Sequence, residues 1–191
     1  MKNTIIKIFT ETPIWNDDRE TSTPADYEWE IEDRKERESD LEHYKFLNTQ
    51  ENGDYTYSTY INEDTVIVAV RLKGKNIPLI GELVLDRSDK YPFPNVVSAH
   101  VLKPFRGKGI AKDIYKIIID RFNGIVSDKS LSGADGKGSF NIWQNLAKTY
   151  IPYIASRSKM KTQLTKVNGF DPKEVMNDPN TRLVISKKPL K

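Results

Sequence analysis

Val101-Leu102-Lys103-Pro104-Phe105-Arg106-Gly107-Lys108-Gly109-Ile110-Ala111 joins an apolar strand to an amphipathic helix through a loop of glycine and basic residues. Val96–Leu102 reads as the strand. After the loop, Ile110, Ile114, Ile117, Ile118 and Phe122 recur at helical spacing. Gly107 and Gly109 clear side chains from a place where an anion can approach the backbone. The first amides of a helix lack internal partners and sit at the positive end of its dipole. Arg106, Lys108 and Lys112 add fixed positive charge. The segment reads as a pyrophosphate cradle; a plain tight turn is the alternative. Two other phosphate motifs fail. No Gly-Lys-Ser/Thr of a Walker loop occurs, at Lys108 or at Gly136-Lys137-Gly138-Ser139, and the third glycine of a dinucleotide fingerprint is replaced by Lys112.

Upstream, Tyr55–Ile61, Thr65–Leu72 and Pro78–Leu85 read as strands separated by short turns such as Asn62-Glu63-Asp64, which argues for antiparallel hairpins. Thr23-Pro24-Ala25-Asp26 is a helix start. The helix is expected to run to about Asn48, with Tyr27, Ile31, Leu41 and Tyr44 near one face and a charged, solvated middle from Glu32 to Asp40. Ile5 to Phe9 reads as a first strand. Downstream, Asn123-Gly124 ends the cradle helix, Ile125–Ser127 forms a short strand, Asn141–Tyr150 a helix and Thr181–Ser186 a terminal strand. The expected fold class is α/β (α+β), with a mixed, mostly antiparallel central sheet flanked by helices.

The chain has 191 residues, 37% hydrophobic and 30% charged, with net charge +3 and no cysteine. Its length fits one domain. A mean hydropathy of −0.61 and short apolar blocks indicate a folded, water-soluble chain. The absence of cysteine excludes disulfides, thiolate nucleophiles and cysteine-based metal motifs. With only His43 and His100, a multi-histidine metal site is not expected. The start lacks signal-peptide character and no apolar stretch approaches the ~18 residues of a membrane span; the expectation is a cytoplasmic protein without membrane partners. Charge is unevenly spread: residues 1–60 carry a balance of −8 and residues 103–191 a balance of +11. The basic half reads either as ordinary surface charge or as a surface that meets an anion, a phosphorylated cofactor or nucleic acid.

Arg106-Gly107-Lys108-Gly109-Ile110-Ala111 resembles the acetyl-CoA motif Arg/Gln-x-x-Gly-x-Gly/Ala of the GNAT N-acetyltransferase superfamily. Val101 fills the family's strand valine five residues before the arginine. The preceding hairpins, following helix and next strand come in the family's order, and the resemblance covers residues 55–150 best. Ile125–Asp128, a glycine-rich loop and Ile142–Lys148 further resemble phage-encoded GNAT-like proteins, a group that brings in phage Mom-type nucleobase-modifying enzymes. The resemblance divides the chain into an acidic strand and helical region (1–50), an acetyl-CoA-binding core (55–150) and a basic C-terminal segment (151–191), all within a single domain 1–191.

That resemblance implies acetyl-CoA as cofactor, with Arg106 through Ala111 on its pyrophosphate and the strand His100, Val101 and Leu102 along its pantetheine arm. It implies a carboxylate base on the cofactor strand, yet no Asp or Glu lies between Asp89 and Asp113. Strand alternation puts Val97, Ala99 and Val101 on one face as core, and Ser98 and His100 on the other with Val96 and Leu102. His100 is then a base or a structural histidine. Tyr150 is the candidate acid, one residue short of the family spacing. Asp128 either orients a cationic substrate or caps a turn; Trp143 is core or a stacking platform; Tyr91-Pro92-Phe93-Pro94 walls the acceptor site or packs. The leading expectation is an N-acetyltransferase acting on a primary amine of unidentified acceptor, with Mom-type chemistry on nucleic acid or a non-catalytic host-interaction protein as alternatives. Lys159, Lys161 and Lys166 favour a polyanionic acceptor. Relatives often dimerise, so the resemblance extends to a homodimer.

Overall fold

A computed structural model describes residues 24–74, 79–87, 90–128, 138–157, 162–168 and 180–190. Helix α1 spans Pro24–Asp40 and leads through a single 3-10 turn, Leu41–His43, into β1, Lys45–Asn52. Strands β2 (Tyr55–Ile61), β3 (Thr65–Leu72), β4 (Gly81–Asp86) and β5 (Asn95–Val101) follow. After the loop come α2 (Ile110–Phe122), β6 (Gly124–Val126) and α3 (Gly138–Thr149). Strands β7 (Ile151–Arg157), β8 (Thr162–Lys166) and β9 (Thr181–Ser186) complete the order. The nine strands of the described residues join one sheet, ordered β1-β2-β3-β4-β5-β6-β9-β7-β8. Every pairing is antiparallel except β5 with β6. This is the mixed, mostly antiparallel sheet with helices that the hydrophobic pattern predicts.

Three expectations change. The first helix ends at Asp40 rather than near Asn48, because Tyr44 turns extended (φ −109°, ψ 143°) and Lys45–Asn52 pairs with β2. The basic segment 151–191 adds β7 and β8 to the sheet besides the expected strand Thr181–Ser186. On β5, Val97 is 58% exposed and Ala99 is exposed, while Val96 and Leu102 are buried. At Val96 and Val97 the cause is a register shift on the β4–β5 ladder: Val84 pairs with Ser98 but Leu85 pairs with Val96, which leaves Val97 out, whereas Ala99 stays opposite the core residue Leu83 and is exposed on that face. A bulge of that kind flips the alternation on one side of it, so Val96 joins the core that Ser98 turns away from. The strand expected at Ile5–Phe9 lies outside the described residues.

The sheet has two different faces. One carries Tyr57, Val66, Val68, Val70, Leu83, Leu85, Val96, Ile125, Leu183 and Ile185, and packs under α2 and α3. Helix α2 places Ile110, Ile114, Tyr115, Ile118 and Ile119 on this core, each large apolar side chain adding roughly 1.5–3 kcal/mol by leaving water. The other face carries Ile67, Ala69 and Val84 under Leu41 and Tyr44, at the end of α1. Further along the same face, Val126, Tyr153, Ala155 and Val184 form a third cluster with Tyr91 and Phe93.

Gly124 opens β6, straight after Asn123 closes α2 in the left-handed conformation (φ 62°). A Cβ there would lie 2.5 Å from the Phe93 ring and 2.7 Å from the Ile185 carbonyl oxygen. The carbonyl belongs to β9 and cannot swing aside. Gly124→Ala should therefore destabilise the fold by about 1–3 kcal/mol, the usual range for overpacking, read as a lower denaturation midpoint with unchanged slope.

Candidate functional site

The site is built where β5 leaves its parallel neighbour. Val126 N–H donates to the Pro94 carbonyl at 2.9 Å, and Asn95 with Val126 is the pair that joins the two strands. One residue later, Ser127 N–H turns to the Leu183 carbonyl of β9 at 2.8 Å. Strand β6 thus stays with β9 while β5 continues alone on that side. On its other side β5 remains paired to β4 through Val101, opposite Gly81, and Leu102 N–H donates to Ile80 at 2.9 Å. In an antiparallel ladder backbone groups alternate between the two edges. The groups of Ala99 and Val101 therefore face the parted edge. Arg106 marks its end, with Nε donating to the Val101 carbonyl at 2.9 Å.

A short 3-10 turn, Lys103–Phe105, seats Pro104 and Phe105 in the interior and throws Arg106–Gly109 outward. Gly107 (φ 75°) and Gly109 (φ 84°) both adopt the left-handed conformation that glycine accepts without strain. A Cβ at either would meet nothing within 4 Å, so the backbone is open to an approaching group. Gly109 is the N-cap of α2, and its carbonyl accepts the first helical bond, from Asp113 N–H at 3.1 Å. The Lys108 ammonium lies 5.3 Å from the Phe105 ring centroid. The start of α2 is tied to the sheet: Asp113 Oδ2 accepts from Tyr57 Oη at 3.1 Å and Asn52 Nδ2 at 2.9 Å. Burial, followed by the Asp113 charge, pushes the Tyr57 hydroxyl pKa above its usual range, so it stays a donor.

The structure gathers some expected residues and separates others. His100, Val101, Leu102 and the loop Arg106–Ala111 sit at one end of the sheet. Asp128 lies two residues past Val126, the residue of β6 that pairs with Asn95 at the start of β5. Its charge, after burial, raises the pKa of the interior Tyr115. Tyr150 lies at the opposite end. It directly precedes Ile151, which pairs with Ser186, and Ser186 pairs with Gly124 at the start of β6. There burial first, and then the Asp120 charge, raises its pKa. Asp120 is ten residues beyond Ile110 on α2, about 15 Å along a helix. Trp143 is fully buried and meets Tyr115 edge-on, with centroids 5.4 Å apart. Tyr91 and Phe93 pack against the cluster of Val126, Tyr153 and Val184. Lys159 and Lys161 lie outside the described residues, and Lys166 is exposed on β8.

Reading the sequence missed a charged cluster on the face of the sheet beneath α1. Arg34 is 5% exposed and Glu82 4%, and Nη1 of the first lies 2.8 Å from Oε1 of the second. Arg37 Nε approaches the same oxygen at 3.9 Å. The middle of α1 is therefore not simply solvated; it docks on the sheet through charge. Glu82 alone among Leu79-Ile80-Gly81-Glu82-Leu83-Val84-Leu85 was the available signal. Among the described residues, no group of three or more His, Asp or Glu is placed to hold a metal, and no helix is long and apolar enough to cross a membrane.

No protein-family model and no curated protein matches the chain. Among solved structures it is similar to a diaminobutyrate acetyltransferase from Paenibacillus lautus in complex with L-2,4-diaminobutyric acid and coenzyme A. The identity is 13% over 65% of this chain and 73% of that one, with a TM-score of 0.39. It is also similar to an IAA acetyltransferase from Bacillus cereus, at 12% identity over 64% of this chain and 78% of that one, again with a TM-score of 0.39. Scores of that size carry no weight for activity, and the architecture rests on the strand order and register given above.

Proposed function

We propose that the protein is an acetyl-CoA-dependent N-acyltransferase that acetylates a primary amine. The observation that carries this reading is the parting of β5 from β6 after one residue pair, directly before a glycine loop at a helix N-terminus. The residues present fit the cofactor. Open backbone at Gly107 and Gly109 suits a pyrophosphate, and an extended edge at Ala99 and Val101 suits the amides of a pantetheine arm. In this reading the amides from Gly107 to Ala111 hold the pyrophosphate, with Lys108 and Lys112 adding charge and Arg106 closing the end of the strand. Bound acetyl-CoA supplies the acyl group as an activated thioester. The chain's own task is to hold the acceptor and take its proton, since an ammonium has no lone pair with which to attack. His100 is assigned as the proton acceptor, an imidazole on β5 one residue before Val101 at the parted edge. Asp128, just past β6 where that strand has parted from β5, is assigned to attract the cationic acceptor. Tyr150 has no part in this site.

Calorimetry with acetyl-CoA, followed by thiol-release assays on small amines, lysine peptides and DNA, tests the proposal. Micromolar binding with turnover on one acceptor class supports it. No binding to the native chain rejects it, and binding without turnover on any class moves the reading to a protein that uses the cofactor fold to hold a partner.

A further inference from the structure

Cross-strand register aligns one row of residues on the face beneath α1. Thr49 pairs with Ser58, Ser58 with Ala69, Ala69 with Glu82, and Glu82 with His100. Directly paired residues in an antiparallel sheet point to the same side, with Cβ atoms ~4.5–5.5 Å apart. Ala69 belongs to the cluster under Leu41, which fixes that side as the α1 face. Glu82 and His100 therefore stand next to each other there, one residue before Val101 at the parted edge. A carboxylate buried in the middle of a strand is costly, and apolar residues of similar volume commonly serve a buried ion pair's structural purpose as well or better. Both arginines reach Oε1 of Glu82. A carboxylate has two oxygens with about four acceptor sites, which gives it capacity for a partner besides the arginines.

We propose that Glu82 is a positioning residue for His100: anchored to α1 through Arg34, its carboxylate holds the imidazole in one orientation and one tautomer at the parted edge. The inference rests on the acetyltransferase reading for its consequence, though not for the pairing itself. In that reaction the ammonium N–H bond of the acceptor breaks and the proton passes to the imidazole nitrogen turned away from Glu82. The freed amine keeps the electron pair. The imidazolium so formed is one positive charge beside one carboxylate. The missing carboxylate of β5 is thus supplied from β4, one strand over. Among the described residues, Arg34 and Arg37 on α1 face Glu82, with Asp33 3.7 Å from Arg34.

The test uses the full chain with ¹⁵N-labelled histidine. There are two histidines, and His43→Asn assigns the signals. In the native protein the His100 nitrogens should report one tautomer, and Glu82→Gln should turn this into a mixture. In acetylation assays the same variant should lose roughly 10–100-fold in kcat, the usual cost of losing a group that orients a histidine, with the amine KM within about twofold, and Glu82→Asp should recover part of the loss. Should Glu82→Gln fail to fold with Arg34 left unpaired, the double variant Arg34→Met/Glu82→Gln carries the same expectation. His100 nitrogen shifts that stay unchanged in a folded variant overturn the pairing. Absent turnover in the native chain instead overturns the acetyltransferase reading, and the two failures are separate results.

Discussion

Gly109→Trp should abolish acetyl-CoA binding, weakening it by more than about 100-fold, or roughly 2.7 kcal/mol. Two effects combine at this position. The residue holds φ 84°, where an L side chain costs about 1–2 kcal/mol. The indole would also fill the open space in front of the amides of α2. Arg106–Gly109 are exposed, between Phe105 and Ile110 that anchor the loop in the core, so the variant should keep its native circular dichroism and most of its stability. Calorimetry on both chains reads the difference. A variant that binds acetyl-CoA like the native chain would mean that the pyrophosphate sits elsewhere.

Trp143→Ala should cost about 3–5 kcal/mol of stability, the range for deleting a fully buried large aromatic. Trp143 has no exposed surface and belongs to the core shared by α2, α3 and the sheet. The edge-on contact with Tyr115 adds to the loss. This separates the two readings that the sequence left open. A stacking platform would change its fluorescence on acceptor binding and could be removed with little cost in stability. A core residue does the reverse, and denaturant unfolding of the variant decides between them.

The parts of the fold legible in the sequence were those with strong alternation or strong helical period. Tyr55–Ile61, Thr65–Leu72 and Thr181–Ser186 are strands at the bounds their apolar pattern predicts, and α2 starts at Ile110 as its isoleucine spacing requires. Strands β1 and β8 escaped because they lie at the two edges of the sheet. Lys45–Asn52 and Thr162–Lys166 are half-exposed to exposed throughout, and a strand that buries little writes little into its sequence. The glycine loop was legible because its φ angles and open surroundings demand glycine. The Glu82–His100 neighbourhood was not, because it depends on register between strands, which no single segment encodes. Arg34 was hidden for another reason: in a helix segment running Glu32-Asp33-Arg34-Lys35-Glu36-Arg37-Glu38, nothing local distinguishes the one arginine that is buried.

The position of β9 has a consequence for how the protein is made. The last strand among the described residues lies between β6 and β7 and is the partner of both. A growing chain can zip β1 through β5 by successive hairpins as they leave the ribosome, each closing a short loop. Ile125 and its neighbours have no such option, since their antiparallel partner is some sixty residues from being synthesised. The cradle and its strand therefore form early, while the opposite wall of the cleft waits for Thr181–Ser186 to emerge. Such long-range closure is slow. A nascent chain halted before β9 would present β6 without its antiparallel partner, a sticky edge for which molecular chaperones are the natural custodians.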